Sequence, residues 1–218
     1  MIDINKTLLS FLEESKKAGY ESFLVGGYIR DCLLGIISTD YDIASTLPLK
    51  EIEKLIPNCK VLKLNDEFFS AKIDYMGCLI ELTNLRIEGP YKKAGYPTKL
   101  KYTNDIYEDL KRRDFTINAI AYSPFIGIID PYQGQLDLKN KTIKTIKDPF
   151  DSYKEDPTRI LRAFRFSFKL GFTINKKDLD AIIENKHLLK KLSKHQLQKE
   201  LNKFSIKDIE RLKKIEII

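Results

Sequence analysis

Apolar positions along this chain follow two periods, one after the other. In MIDINKTLLSFLEESKKAGY, Leu8, Leu9, Phe11 and Leu12 fall among charges, a spacing that predicts an amphipathic helix and not a signal peptide. The pattern then shortens: residues 22–26 read as a strand, 27–35 as a helix and 39–45 as a second strand. PLKEIEKLI (48–56) is predicted as a helix opened by a proline. Residues 67–87 alternate apolar and polar and break at Met76-Gly77, which predicts a β-hairpin. The stretch 88–105 mixes Gly, Pro, Lys and Tyr with no period and is expected to be a mobile loop. Residues 106–124 begin helical and turn extended, and 127–146 read as strand, turn, short helix and strand. From Asp156 the period is helical throughout, at 156–170, 177–190, 193–204 and 206–216. The change near residue 148, marked by KDPFDSYKEDP, divides the expected α+β fold into a mixed domain (1–147) and an all-helical one (148–218).

Composition narrows the class. Of 218 residues, 43% are hydrophobic and 32% charged, as in ordinary globular domains, and no run approaches the roughly 18 apolar residues of a membrane span. Cys32, Cys59 and Cys78 lie far apart with no CxxC pair, which argues against zinc and a disulfide framework and for a cytoplasmic home. The net charge of +7 permits a polyanionic partner. Residues 176–218 hold twelve Lys or Arg against seven Asp or Glu, a net of +5, so most of the excess sits in the C-terminal helices.

FLVGGYIRDCLLGIISTDYDIAST (23–46) carries the first candidate chemistry. Residues i and i+2 of a strand share a face, so Asp40 and Asp42 present paired carboxylates. Two such groups repel unless a cation lies between them, and Mg²⁺ typically takes one or two carboxylates together with substrate phosphates. Gly26 and Gly27 allow close backbone approach to a ligand at a helix start, and Arg30 lies one turn on. A lone Gly-Gly more often makes only a tight turn; both features at strand–helix–strand spacing favour a metal-dependent triphosphate site. Glu81 interrupts the apolar strand CLIELTNLR and would supply a third acid if that strand lies beside the DxD strand; an exposed glutamate explains the spacing nearly as well.

Two further clusters follow. LKRRDFTINAIAY (110–122) gathers Arg112, Arg113, Asp114 and Asn118, types suited to phosphates and ribose hydroxyls. A helix C-terminus would explain the arginines alone, but not Asp114 with Asn118. In KEDPTRILRAFRFSFKLGF (154–172), Asp156 can cap a helix, Pro157 suits its first turn, and Asp156 and Arg159 are i, i+3 neighbours. An acceptor beside fixed donors matches C and A, each with an exocyclic amine next to an unprotonated ring nitrogen. U and G present the reverse. Glu155 can orient the arginine, and Arg162 and Arg165 extend the basic face. An ordinary capped helix with one ion pair accounts for this segment taken alone.

Together these segments resemble the class II tRNA nucleotidyltransferase and poly(A) polymerase family of the polymerase β superfamily, which includes CCA-adding enzymes. LVGGYIRDCLLG…TDYDIA, RRDFTINAIAY, DPYQGQLDLKNKTIKTI, EDPTRILRAFRFSFKLGF and SKHQLQKELNKF are similar, in order, to five family motifs. The resemblance implies a polymerase-β-like catalytic head and a helical neck. It implies that Asp40 and Asp42 bind two catalytic Mg²⁺ ions, with Glu81 as a third strand acid. It gives Gly26, Gly27 and Arg30 the triphosphate, and Arg112, Arg113, Asp114 and Asn118 the sugar and phosphates. Asp156 and Arg159, supported by Glu155 and extended by Arg162 and Arg165, would be the protein template for C and A. The implied reaction joins CTP and ATP to a tRNA 3′ end, with 88–105 as the element that moves between C and A.

The family pattern is not followed everywhere. His195-Gln196 stands where an acid–arginine pair is usual, and Lys144 where arginine is common. Family members usually continue beyond the position of Ile218 into helical body and tail domains, so only head and neck are covered. Lys190, Lys191, Lys194, Lys199, Lys203 and Lys207 would then hold the RNA, or the chain would do so as a homo-oligomer. A-adding, CC-adding and poly(A) polymerase activities fit the same motifs; a non-catalytic RNA-binding module fits the intact acids less well.

Overall fold

In the computed structural model, which describes residues 4–93 and 96–218, the first period change becomes a helix-to-sheet transition. Helix α1 (Lys6–Lys17) is capped by Asn5, whose side chain accepts from Thr7 N at 2.8 Å, and buries Leu8, Phe11 and Leu12. Strand β1 (Ser22–Val25) is buried along its whole length. There follow α2 (Gly26–Leu33), β2 (Tyr41–Ser45), α3 (Ile52–Leu55), β3 (Cys59–Asn65), β4 (Ser70–Tyr75) and β5 (Cys78–Asn84). Next come β6 (Arg86–Glu88), β7 (Tyr91–Lys93), β8 (Tyr96–Pro97), β9 (Leu100–Tyr102), α4 (Ile106–Lys111), β10 (Ala121–Ser123), β11 (Gly127–Ile129), α5 (Gly134–Lys139) and β12 (Thr142–Ile143). The C-terminal part holds α6 (Pro149–Glu155), α7 (Thr158–Leu170), β13 (Thr173–Ile174), α8 (Lys176–Asn185), α9 (Lys194–Leu201) and α10 (Ile206–Lys214).

The chain divides into two compact units: Met1–Ile87, Leu100–Arg113 and Ile117–Gln135; and Glu88–Lys99, Asp114–Thr116 and Leu136–Ile218. The first is built on a seven-stranded mixed sheet, order β11-β10-β1-β2-β5-β4-β3. β1 pairs antiparallel with β2 and β10, while β2 and β5 run parallel with Asp42 opposite Glu81. The β4–β5 hairpin turns at Met76 and Gly77, both at positive φ (52° and 82°), as a primed two-residue turn demands. In the second unit β12 and β13 form a short parallel pair. Around it Tyr153, Ile160, Leu161, Phe164 and Phe166 are buried, and Phe115 meets Phe166 edge-on at 5.8 Å. Buried Asp178 of α8 accepts from Tyr153 Oη of α6 at 2.9 Å and from Thr145 N at 3.1 Å.

Several boundaries differ from the sequence expectation. β2 begins at Tyr41, so Asp40 immediately precedes the strand instead of lying within it. The helix expected over 48–56 contracts to one turn, Ile52–Leu55. β3 had no clear alternation to announce it: Leu62 and Leu64 face solvent on this edge strand, and its register shifts between Val61 and Lys63. The stretch 88–105 carries parts of two short ladders, β6 with β9 and β7 with β8; only 94 and 95 lie outside the described residues. Backbone pairing such as Gly89 N to Lys99 O (2.8 Å) and Thr98 N to Pro90 O (2.9 Å) closes it without any apolar period. KDPFDSYKEDP contains α6, capped by Asp148 with Pro149 in its first turn. Among the described residues, no helix is long and apolar enough to cross a membrane.

Candidate active site

In the first unit β1 runs straight into α2 at Gly26, whose φ of +64° lies in the left-handed region. A Cβ at Gly26 would stand 3.1 Å from Arg113 Nη1 and 3.4 Å from Asp42 Oδ2; one at Gly27 would stand 3.4 Å from Arg30 Nη2. The glycine pair therefore packs against one carboxylate and two guanidinium groups. Arg30 is buried: Asp31 Oδ1 accepts from its Nε at 2.8 Å, and Asn118 Oδ1 from its Nη1 at 2.6 Å. Asp109, also buried, holds the other arginines through separate oxygens. Oδ1 accepts from Arg112 Nε and Nη2 (2.9 and 2.7 Å), Oδ2 from Arg113 Nε and Nη2 (3.3 and 3.0 Å).

Electrostatics distinguish the two acids. Burial pushes the Asp42 carboxyl up to about 6; Arg113 opposes this, Asp40 and Glu81 add to it, and Arg30 opposes it weakly. Burial also pushes Asp109 up, but Arg113 and Arg112 outweigh it and hold that carboxyl below its ordinary range. Asp42 is thus a half-buried acid whose charge its neighbours do not fully balance, in an all-oxygen donor set. This fits a hard divalent cation such as Mg²⁺, which needs only one or two carboxylates beside substrate phosphates. Among the described residues no three His, Cys, Asp or Glu side chains converge as a metal cluster; Glu81 Oε1 is ion-paired to Lys72 at 2.8 Å.

In the second unit, Asp156 Oδ1 accepts from Thr158 N (3.0 Å) and Thr158 Oγ1 (2.6 Å), holding the start of α7. Arg159 turns back across the α6–α7 break, and its Nη1 donates to Ser152 Oγ at 2.8 Å. Glu155 Oε2 lies 3.8 Å from that nitrogen and is held by Lys147 Nζ at 2.7 Å. The Tyr91 ring centre lies 6.0 Å from Arg159 Cζ. Arg162 Nε donates to Asp114 Oδ2 at 2.7 Å, and Arg165 lies over Phe166 at 4.5 Å with Glu200 Oε2 at 3.9 Å. Asp156 and Arg159 thus share the helix start, while their side chains contact different partners. Lys190, Lys191, Lys194, Lys199, Lys203 and Lys207 are all exposed, Lys203 tied to Glu200 at 2.6 Å.

Residues 22–144, more than half of the chain, match the model of the poly A polymerase head domain, and that span contains every site residue of the first unit. The chain belongs to that family. The CCA-adding enzyme of Ligilactobacillus salivarius is 37% identical over 188 residues, 86% of this chain and 46% of its own length. The CCA-adding enzyme of Geobacillus sp. is 35% identical over 195 residues, 89% of this chain and 48% of its own. The Bacillus stearothermophilus CCA-adding enzyme in complex with CTP superposes with a TM-score of 0.82 at 29% identity, over 92% of this chain and 49% of that one. The Thermotoga maritima CCA-adding enzyme complexed with tRNA-CCA does so with 0.73 at 27% identity, over 98% and 52%. This poly A polymerase head-domain protein therefore spans about half the length of the relatives it matches.

Within this head domain, sequence reasoning overlooked the residues that hold the arginines. Asp109 was legible, standing at i−3 and i−4 from Arg112 and Arg113 on one helical face. Asp31 directly follows Arg30, a spacing that gives no facing signal. In the second unit Ser152 lies seven residues before Arg159 across a helix break, where no periodicity connects them. The Gly26 geometry makes a direct prediction. Gly26→Ala places a side chain at φ +64° and 3.1 Å from Arg113 Nη1, at a cost of about 1–2 kcal/mol. CTP affinity by titration calorimetry is expected to fall at least about 5-fold; unchanged affinity would show that Gly26 does not set the cradle.

Proposed function

We propose that this chain adds C and A, from CTP and ATP, to the 3′ end of tRNA. The observation that carries the reading is the packing of Gly26 and Gly27 against Asp42, Arg30 and Arg113 within a head domain whose relatives are CCA-adding enzymes. Asp40 and Asp42 would hold Mg²⁺, two ions in the full site, with Glu81 beside them. When bound, the metal would lower the barrier to attack by the RNA 3′-hydroxyl on the nucleotide α-phosphate and neutralise charge on departing pyrophosphate. Arg30, fixed by Asp31 and Asn118, and Arg113, fixed by Asp109, are pre-ordered donors for the triphosphate, so little side-chain entropy is lost on binding. Asp114 and Asn118 sit beside these donors in sequence and would contact the sugar. Glu155, Asp156 and Arg159 would read the base edge, with Arg162 and Arg165 behind them. The six exposed lysines would bind the acceptor stem, making contacts weakened by salt. The working division is a catalytic head, 1–147, and a helical neck, 148–218, acting in the cytoplasm.

The test uses three tRNA transcripts, ending before CCA, after C and after CC, incubated with Mg²⁺ and each nucleoside triphosphate singly or with CTP and ATP together. Extension by CCA followed by a stop is expected on gels. Addition of CC only, A only or a long A tail would replace this reading by the narrower activity seen. No incorporation by folded protein on any transcript would remove it.

A further inference from the structure

We infer that Lys63 and Lys72 form a phosphate-binding track for the single-stranded 3′ end of the acceptor RNA, an inference that rests on the reaction proposed for this chain. In the first unit, strand register sets four residues in one row across four strands. Asp42 of β2 lies opposite Glu81 of β5, Glu81 opposite Lys72 of β4, and Lys72 opposite Lys63 of β3. Directly opposed residues share a face of the sheet. Glu81, Lys72 and Lys63 are exposed, while Ile80, Leu82, Ala71 and Ile73 on the other face are buried. The row therefore runs uncovered from Asp42 to the edge of the sheet, at about 4.8 Å per strand.

Lys63 enters this row through a register shift. Val61 lies opposite Ile73 and Lys63 opposite Lys72, with Leu62 as the extra residue between them. Without the shift, Leu62 would stand beside Lys72. The bulge thus puts a lysine on the open face in place of a leucine, as bulges next to active sites re-aim side chains. Two lysines directly opposed across a ladder repel. Lys72 Nζ meets Glu81 Oε1 at 2.8 Å, but among the described residues Lys63 has no ion-pair partner. An anion beside both lysines turns that repulsion into attraction.

Reaction geometry identifies the anion. In phosphoryl transfer the attacking and leaving oxygens lie roughly in line across the phosphorus. β2 has β1 on one side and β5 on the other. Gly26 continues from β1, and it packs against Asp42 and Arg113, so the proposed triphosphate cradle lies on the β1 side. Pyrophosphate then departs toward β1, and the 3′-hydroxyl arrives from the side of β5, β4 and β3. The phosphodiesters trailing behind that hydroxyl cross the row at Lys72 and Lys63. The six exposed lysines of the C-terminal helices lie in the other unit, so this track is a separate contact for the last nucleotides.

The experiment measures binding of the full chain to a tRNA transcript ending in CC, by fluorescence anisotropy over a salt series. Steady-state KM and kcat are measured on the same transcript with ATP and Mg²⁺. Lys63→Ser is expected to weaken RNA binding about 5-fold and to flatten the slope of log K against log salt by about 0.7. KM for the RNA should rise with kcat little changed. ATP affinity by titration calorimetry should stay at the wild-type value, and the melting temperature should stay level or rise, because one of two opposed charges is gone. Lys63→Arg, which keeps the charge, should retain RNA affinity. Lys6→Ser removes an exposed charge from α1 of the same unit and controls for net charge. Unchanged affinity and slope in Lys63→Ser, or an equal loss in Lys6→Ser, would overturn the track and leave the proposed reaction standing. A wild-type chain that binds the transcript but incorporates no nucleotide would remove the proposed reaction, and the approach side argued from it falls too.

Discussion

Asp42→Asn is expected to lower Mg²⁺-dependent nucleotide incorporation by about 10³-fold or more while leaving the folded state at least as stable as wild type. The two halves of this result have one cause. Asp42 lies at the start of β2, opposite Glu81 in register, close to Asp40, and against the glycine turn. Desolvation and two like-charged neighbours penalise its ionised form, and two arginines compensate only partly. Asparagine keeps the shape and removes the penalised charge, so thermal melting without metal should stay level or rise. It also removes the anionic oxygen a divalent ion requires, so activity should collapse and metal-induced stabilisation, RT ln(1 + [L]/Kd), should shrink. A variant that keeps wild-type turnover would place the metal elsewhere; one that loses activity only because it unfolds would make Asp42 structural.

The particular elements show what a sequence can convey. Strand β2, the glycine turn and the hairpin were legible because each rests on a local rule: period two, absence of Cβ, and positive φ at a two-residue turn; the strand begins one residue after Asp40, at Tyr41, so period two places Asp42 but not Asp40. The parallel pairing of β2 with β5 was legible only as a condition on Glu81, since pairing is non-local; the register then set Glu81 opposite Asp42. The side chain's engagement by Lys72 follows from β4, one strand further, with Lys72 opposite Glu81, which no pattern within CLIELTNLR discloses. The ladders in 88–105 were missed because the backbone hydrogen bonds that pair them leave no apolar period in the sequence. The Asp156–Arg159 neighbours were read correctly as helix-start residues. Their actual partners, Thr158 and Ser152, depend on the break between α6 and α7, which apolar spacing does not mark.

Asp109 is the second residue whose loss should have a large effect, this time through stability. Its two oxygens accept from Arg112, Arg113 and the backbone N of Arg86, and its side chain is fully buried, while the two arginines are 15% and 16% exposed. Asp109→Ala takes from two guanidinium groups the carboxylate they share, but both reach solvent and Arg113 still faces Asp42, so the cost should fall below the full buried-pair penalty, at about 2–3 kcal/mol. For a chain of this size that corresponds to roughly 5–10 °C in melting temperature. Nucleotide affinity should fall as well, because Arg113 loses the contact that aims it beside Asp42. The pH dependence identifies the mechanism. The folded Asp109 carboxyl lies below its ordinary range, so its stabilisation is complete above the unfolded value of about 3.9 and is lost as pH falls from there through the folded pKa. Asp109→Asn cannot ionise and lacks this contribution at every pH. Denaturant unfolding of the two proteins should therefore show a gap that is constant from pH 7 to about pH 5 and narrows steadily below about pH 4. A gap that persists undiminished to pH 2 would mean that Asp109 acts by packing and hydrogen-bond geometry and not by its charge.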